Sequence, residues 1–338
     1  MRLIYQLVNN YGVAIVLFTI ITKILLFPIS YKQQKNTLRM QLIQPKLKKL
    51  QAKYKDKPQE LQQAQMQLYQ EEHVNPMSSC LPMFLQFFLL FGVLDVVYKP
   101  LTHILHYSKS VISKVVEIST GILGDSVAKQ YTGLRQELGV LKAFQDNPSA
   151  FSNVDTFDTS KVSDFMEHFT VFGVNLGETP TWHPEVWNTS AVILFCIPLL
   201  SGILQLIMTI YMQIMQKKRG TAPEQNMGCM NVMLYVMPLF SVWFAFQVSA
   251  GVGFYWACSS FFSLLQTIGL NLYFTPERGA KIIEKENKKM EARYAAGKQS
   301  FTERVMNQNA GAARVQETEK TKNMSNRELS SYNKQKIQ

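Results

Sequence analysis

The sequence predicts an all-α integral membrane protein, with five transmembrane helices and a cytoplasmic helical hairpin. Three observations carry this prediction. Five apolar runs recur along the 338-residue chain, each close to the roughly 20 residues that cross the hydrocarbon as helix. Charged residues make up only 17%, against about 25% in soluble domains. The mean hydropathy of −0.04 hides a segregation in which apolar blocks alternate with polar, basic ones.

The first span is predicted over Leu7–Ile29, closed by Pro28, and the second over Cys80–Tyr98. The third covers Ser190–Met212, the fourth Gly228–Phe246 and the fifth Val252–Phe274. Only "QVSAG" joins the last two, which makes them a tight antiparallel hairpin. The first run exceeds the about 7–15 apolar residues of a signal peptide, so no cleavable leader is expected. No cysteine precedes Cys80, and a lipoprotein site is not expected either.

Basic residues set the orientation. Segment 30–75 holds nine basic and four acidic residues, and the tail from 275 holds fourteen against eight. The connection 213–227 carries Lys217, Lys218 and Arg219 against Glu224, whereas 101–188 has six basic and ten acidic residues. The expected organisation follows. Residues 1–29 form the first transmembrane helix with the N-terminus outside, and 30–75 a cytoplasmic helical hairpin. The second transmembrane helix lies within 76–100, and 101–188 is extracytoplasmic. Residues 189–274 hold helices three to five, and 275–338 form a basic cytoplasmic tail.

In the hairpin, Leu38, Leu42, Leu47 and Leu50 recur at helical intervals, "DKP" breaks the chain, and Leu61, Met66, Leu68 and Tyr69 continue. Pro45 is expected to kink the first of these helices. The faces are narrowly apolar, which suits a hairpin lying on the membrane or a partner, or a solvated connector. In 101–188, "KSVISKVVEISTGIL" reads as an amphipathic helix at the membrane interface, and "DNPSAFSNVDTFDTS" as a turn-rich loop. Trp182 and Trp187 stand where an aromatic belt would precede the third span. The tail should be helical over "AKIIEKENKKMEARYAA" and disordered beyond it.

Lys23 interrupts the apolar run "TIITKILLFPIS" with no acidic residue nearby. An unpaired ammonium in lipid is costly. It either snorkels to the surface or occupies a wet place kept for it. Thr19 and Thr22 flank it, and Gln86, Gln205, Gln247, Ser259, Ser260 and Gln266 add polar groups to four other spans. Such amides more often join helices than line a cavity. Together with an unpaired cation they favour a water-filled inner cavity. Asp95, near the outer end of the second span, pairs with Lys99 four residues on. Cys80, Cys196, Cys229 and Cys258 read as small buried hydrophobes. His103 and His106 share a helical face without a third ligand, so no metal or other cofactor is expected.

The stretches "NYGVAIVLFTIITKILLFPIS", "QPKLKKLQAKY", "EEHVNPMSSCLPMFLQFF" and "AGVGFYWACSSFFSLLQ" resemble the YidC-type membrane protein insertases, whose relatives include the oxidase-assembly and thylakoid insertases. The resemblance covers roughly residues 7–274. It implies a five-helix core around a polar groove open to the cytoplasm and to lipid, in a bacterial plasma-membrane protein. Lys23 takes the place of the family's first-span arginine, so the charge is kept but not the planar fork. Substrate contacts of the family map to Thr19, to the region of Gln86 and Leu90, and to Trp256. Gln205 matches a polar groove position, and Thr22 lies beside the charge. The large periplasmic domain and extra span of Gram-negative members are not seen.

The resemblance implies insertion and folding of nascent membrane proteins without ATP and without a covalent reaction. No GxxxxGK[ST] motif is present. The bilayer and nascent chains are the implied partners, the ribosome is a candidate for the basic tail, and the Sec translocon is a further candidate. The alternative is a small-solute transporter or channel, kept open by Pro198 and Pro238 inside spans. Against it, no inverted repeat or Gly-Pro break is visible.

Overall fold

The structure is a computed structural model that describes residues 1–72, 74, 81–219 and 228–295. The chain divides into two compact units, Met1–Thr37 with Met77–Thr275, and Leu38–Pro76 with Pro276–Gln338. Apart from one two-stranded hairpin, the regular structure described is helical.

The first apolar run is not one helix from Leu7. Helix α1 (Arg2–Val8) ends at Asn9, which adopts a left-handed φ of 47° and donates its N–H to the Tyr5 carbonyl. Asn10 then caps α2 (Tyr11–Lys53), its Oδ1 accepting the Val13 N–H at 3.0 Å. Nor does Pro28 close the span or Pro45 interrupt the hairpin, because α2 continues through both. Each proline removes one ladder bond. Long helical runs of Leu, Met, Gln and Lys on either side propagate the helix past the break.

The second run is helix α4 (Leu81–Tyr98), since Cys80 lies outside the described residues. Asp95 pairs with Lys99 at 2.5 Å as expected, and it also takes His103 Nε2 at 2.7 Å. After the short α5 (Pro100–His103) come α6 (Lys109–Ala128), α7 (Gln136–Asp146) and α8 (Thr159–His168). The main core forms here, where Tyr11, Val97, Leu101, Phe151, Phe165, Phe169, Leu176 and Val252 are buried together. Tyr11 meets Phe169 edge-on at 4.8 Å. Val111 and Val115 of α6 belong to this core, so the apolar face of the expected amphipathic helix packs on protein. The stretch expected as loop holds a single 3-10 turn at Pro148–Phe151, with Phe151 and Phe157 buried.

Strands β1 (Thr170–Val171) and β2 (Val174–Asn175) pair antiparallel. Two residues per strand are too few for a period-2 signal, so the hairpin was invisible in the sequence. Beyond it, the Leu176 and Glu178 carbonyls accept the N–H groups of Gly251 (2.8 Å) and Ala250 (2.7 Å). They satisfy orphan amides at the start of α11 (Ala250–Tyr273), which therefore begins two residues earlier than predicted. The buried Glu137 carboxylate accepts both the backbone N–H (3.0 Å) and the hydroxyl (2.5 Å) of Thr102. Arg135 lies 5.4 Å over the Tyr98 ring and donates to the Gln247 carbonyl.

Asn188 caps α9 (Thr189–Lys218), which faces α10 (Gly228–Ala245). Gly202 permits their contact: a Cβ there would sit 2.0 Å from Val242 Cγ2. Trp182 stacks on Phe246 at 3.7 Å, while Trp187 stays half exposed. Cys196 is exposed among apolar neighbours rather than buried, and Cys258 is intermediate. Outward faces carry large apolar side chains, among them Ile24, Leu25, Phe88, Phe91, Ile203, Leu239, Phe240 and Leu265. An apolar surface of this extent requires a partner or lipid. Helices α2 and α9 are long and apolar enough to cross a membrane, and Phe84–Tyr98 and Tyr235–Ala245 are shorter apolar helices.

In the second unit, the end of α2 and α3 (Pro58–Glu71) bury Ile43, Leu47, Leu68 and Val74 between them. Helix α12 (Pro276–Ala295) starts the tail, with Ile283 buried. Its Glu286 pairs with Arg39 at 3.1 Å, and Gly279 lies against Leu38. The expected disorder of the later tail concerns residues 296–338, outside the described residues.

Gly202→Ala should destabilise the helical core by about 1–3 kcal/mol, because the methyl meets Val242 inside a packed crossing. Thermal melting in detergent should show a lower midpoint that Gly202→Ala with Val242→Ala restores.

Candidate functional site

In the larger unit, α2, α4, α9 and α11 enclose a cavity of about 530 Å³. Its lining includes Lys23, Gln33, Gln34 and Thr37 from α2, Leu85 and Gln86 from α4, and Gln205, Met208 and Met212 from α9. Helix α11 adds Trp256, Ser259, Ser260, Ser263, Gln266 and Thr267. Spacing explains the last set. Ser259, Ser263 and Gln266 stand four and then three residues apart, on one helical face.

The helices meet in the cavity through paired polar groups. Lys23 Nζ donates to Ser263 Oγ at 2.7 Å, joining α2 to α11 across 240 residues. Gln86 Nε2 donates to Ser259 Oγ at 3.1 Å. Gln34 Nε2 donates to Asn271 Oδ1 at 3.0 Å, with both side chains buried. Gln205 Nε2 donates to Ser241 Oγ at 2.7 Å, fastening α9 to α10 at the cavity edge. Among the described residues no carboxylate lies within ion-pair distance of Lys23. Its charge is held by a hydroxyl and by the cavity. No group of three or more metal-ligating side chains occurs among the described residues.

Of the residues singled out in the sequence, Lys23, Gln86, Gln205, Trp256, Ser259, Ser260 and Gln266 line this cavity together. Thr19, Thr22, Leu90 and Gln247 are not among its lining residues. Thr19 is fully buried, and its hydroxyl donates back to the Ile15 carbonyl at 2.7 Å. Thr22 does the same toward the Thr19 and Phe18 carbonyls at 2.8 and 2.9 Å, so both protons are spent within the helix, and Lys23 donates to Ser263 on α11. Leu90 is buried in the main core. Trp256 packs on Phe244 with ring centroids 5.4 Å apart. Ser263, Gln34 and Asn271 escaped the sequence reading. Ser263 could have been found one turn beyond Ser259, whereas Gln34 falls in the stretch that the sequence assigns to the cytoplasmic hairpin.

Residues 3–278 match the family described as 60Kd inner membrane protein. The chain is also similar to proteins named membrane protein insertase YidC. It is 45% identical to that of Helicobacter pylori over 95 residues, covering 28% of this chain and 17% of the relative. For Clostridium tetani the figures are 48% over 84 residues, 25% and 38%, and for Caulobacter vibrioides 43% over 99 residues, 28% and 16%. The aligned part of the chain thus spans less than two-fifths of the length of these relatives.

The geometry sets apart two neighbouring positions on α2. In a background lacking the four native cysteines, Lys23→Cys should react with a water-soluble thiol reagent and Thr19→Cys should not. Mass spectrometry of the folded, membrane-embedded protein would register the difference. Protection at both positions would mean that the cavity is dry.

Proposed function

The chain belongs to the 60Kd inner membrane protein family, and from that premise we propose that it is a membrane protein insertase that inserts and helps fold integral membrane proteins without ATP. The observation that carries this reading is the cavity. It brings one cation, Lys23, together with amides and hydroxyls of several helices whose outer faces are apolar and exposed. The relatives' name, membrane protein insertase, agrees with it. Nothing in the fold or the comparisons favours the transporter alternative.

In this reading the protein is a multi-pass protein of the bacterial plasma membrane, with its N-terminus outside and its tail in the cytoplasm. Five helices span the bilayer, α2 and α4 together with α9 to α11, and the cavity opens as a groove to the cytoplasm and to lipid. A short polar or acidic tail of an incoming protein enters the groove, where Lys23 and the polar lining replace part of its water. This shortens the apolar path it must cross. Meanwhile the apolar segment of the substrate slides along the exposed helix faces into lipid. Gln86, Gln205 and Trp256 contact the substrate, Thr19 and Thr22 shape the helix that carries the cation, and Leu90 backs the groove from the core. The work comes from burial of the substrate's apolar surface, so no covalent step or bound nucleotide is needed. The basic tail attracts the phosphate backbone of ribosomal RNA, the hairpin 30–75 guides substrates to the groove mouth, and the Sec translocon is a further partner.

Purified protein in liposomes should accelerate insertion of a single-span substrate with an acidic N-terminal tail, scored by protease protection. Lys23→Arg should keep this activity. Lys23→Glu should lower it about tenfold or more, a factor of ten being about 1.4 kcal/mol. Equal activity of Lys23→Ala and the wild type on every substrate would remove the electrostatic role.

Deleting residues 280–338 should weaken co-sedimentation with ribosomes, and the binding that remains should fall steeply with salt. Undiminished binding after deletion would shift the contact to the hairpin or to 213–227.

A further inference from the structure

Helix α11 presents three polar turns to the cavity. The first, Ser259, accepts from Gln86, and the second, Ser263, accepts from Lys23. The third, Gln266, differs from both: its Nε2 is buried and has no hydrogen-bond partner among the described residues. Buried amide donors are seldom left unmade, and an unmade one calls for a physical reason. It lies one turn beyond Ser263, on the same helical face, and it lines the same cavity as Lys23.

Lys23 is also incompletely used. An ammonium carries three N–H donors; Ser263 takes one, and no other partner is present among the described residues. A lysine is a point charge on a flexible stem and does not by itself fix the direction of a bound carboxylate. A neutral donor at a fixed place on a neighbouring helix supplies that direction. We propose that Gln266 is the second donor of a two-point carboxylate site, in which one oxygen of an acidic side chain on the incoming tail meets Lys23 Nζ and the other meets Gln266 Nε2. Ser263 is then the acceptor that holds the ammonium beside this site until the carboxylate arrives. This rests on the insertase reading and names the residue that makes the cavity selective for acidic over neutral tails.

The test uses the full chain in liposomes and three versions of one single-span substrate. Their N-terminal tails carry two Asp, two Asn or two Lys, and tail translocation is scored by protease protection. Gln266→Leu should slow the Asp tail about tenfold, the scale of losing one charge-assisted hydrogen bond, and leave the Asn tail within about twofold. Gln266→Glu should slow the Asp tail further and speed the Lys tail, because a carboxylate then stands beside Lys23. In a double-variant cycle, Gln266→Leu should have little further effect once Lys23 is Met. Equal losses on Asp and Asn tails, or full additivity with Lys23→Met, would make Gln266 a packing residue and overturn the inference alone. If the wild type speeds none of the three tails, the insertase reading falls, and this inference with it.

Discussion

The bond between Lys23 on α2 and Ser263 on α11 is the contact on which the rest of the interior depends. A cation in an apolar run admits few solutions, and here the solution is to surround it with hydroxyls and amides from other helices. That choice has consequences around it. Ser259 must face inward to receive Gln86, Gln266 shares that face, and α9 brings Gln205 to the edge. Once the interior holds this polar set, apolar side chains are displaced outward, where Phe88, Leu239 and Leu265 stand exposed. Around the cavity the arrangement is thus polar within and apolar on the outer faces, beside a main core that is apolar throughout.

A polar interior between helices weakens hydrophobic cohesion there, and the structure compensates elsewhere. The main apolar core includes residues of α6 to α8, and aromatic rings of α1, α2 and the end of α8 meet in it. Backbone bonds from Leu176 and Glu178 hold the first turn of α11, and Glu137 holds the turn after α4. These are buried bonds with well-defined partners, whose loss is costly because it strands a polar group. The bundle is therefore firm at one end, while its cavity keeps groups that other molecules can engage.

The legible and illegible parts of this protein divide along physical lines. Long apolar runs located α4, α9, α10 and α11 to within two residues at each described end except one, since only the composition of about 20 residues is needed for that. The exception was the end of α9, which runs on to Lys218 because lysine and glutamine continue a helix as readily as leucine does. Lys23 by itself left snorkelling open, and the amides and hydroxyls in four other spans were what pointed to a polar cavity. Other features depended on contacts distant in sequence. The break at Asn9 needed a left-handed residue that any polar tail could have supplied. Helix α6 reads as amphipathic, but amphipathicity does not say what an apolar face meets, and this one meets the core. Thr19 and Thr22 flank the cation in sequence, but the hydroxyl that accepts from it, Ser263, comes from another helix, which spacing along α2 does not show.

The energetics of insertion explain why so slight a polar site suffices in the proposed role. An apolar residue at the bilayer centre gains roughly 0.3–0.6 kcal/mol, and a charged one costs roughly 2.5–3.5 kcal/mol. A span of about 20 residues therefore gains about 6–12 kcal/mol, and two or so carboxylates on its tail take nothing from that sum once they reach water on the far side. What remains is the barrier while those carboxylates are between the two aqueous phases. A single lysine with a few neutral donors can lower that barrier, and a denser cluster of charge would hold the tail instead of passing it on. The same arithmetic bounds what the cavity can do. It alters the path and not the end states, so each further charge on a tail raises the barrier by its cost at the bilayer centre, and long or highly charged tails cross slowly even though the final burial of the span is as favourable for them.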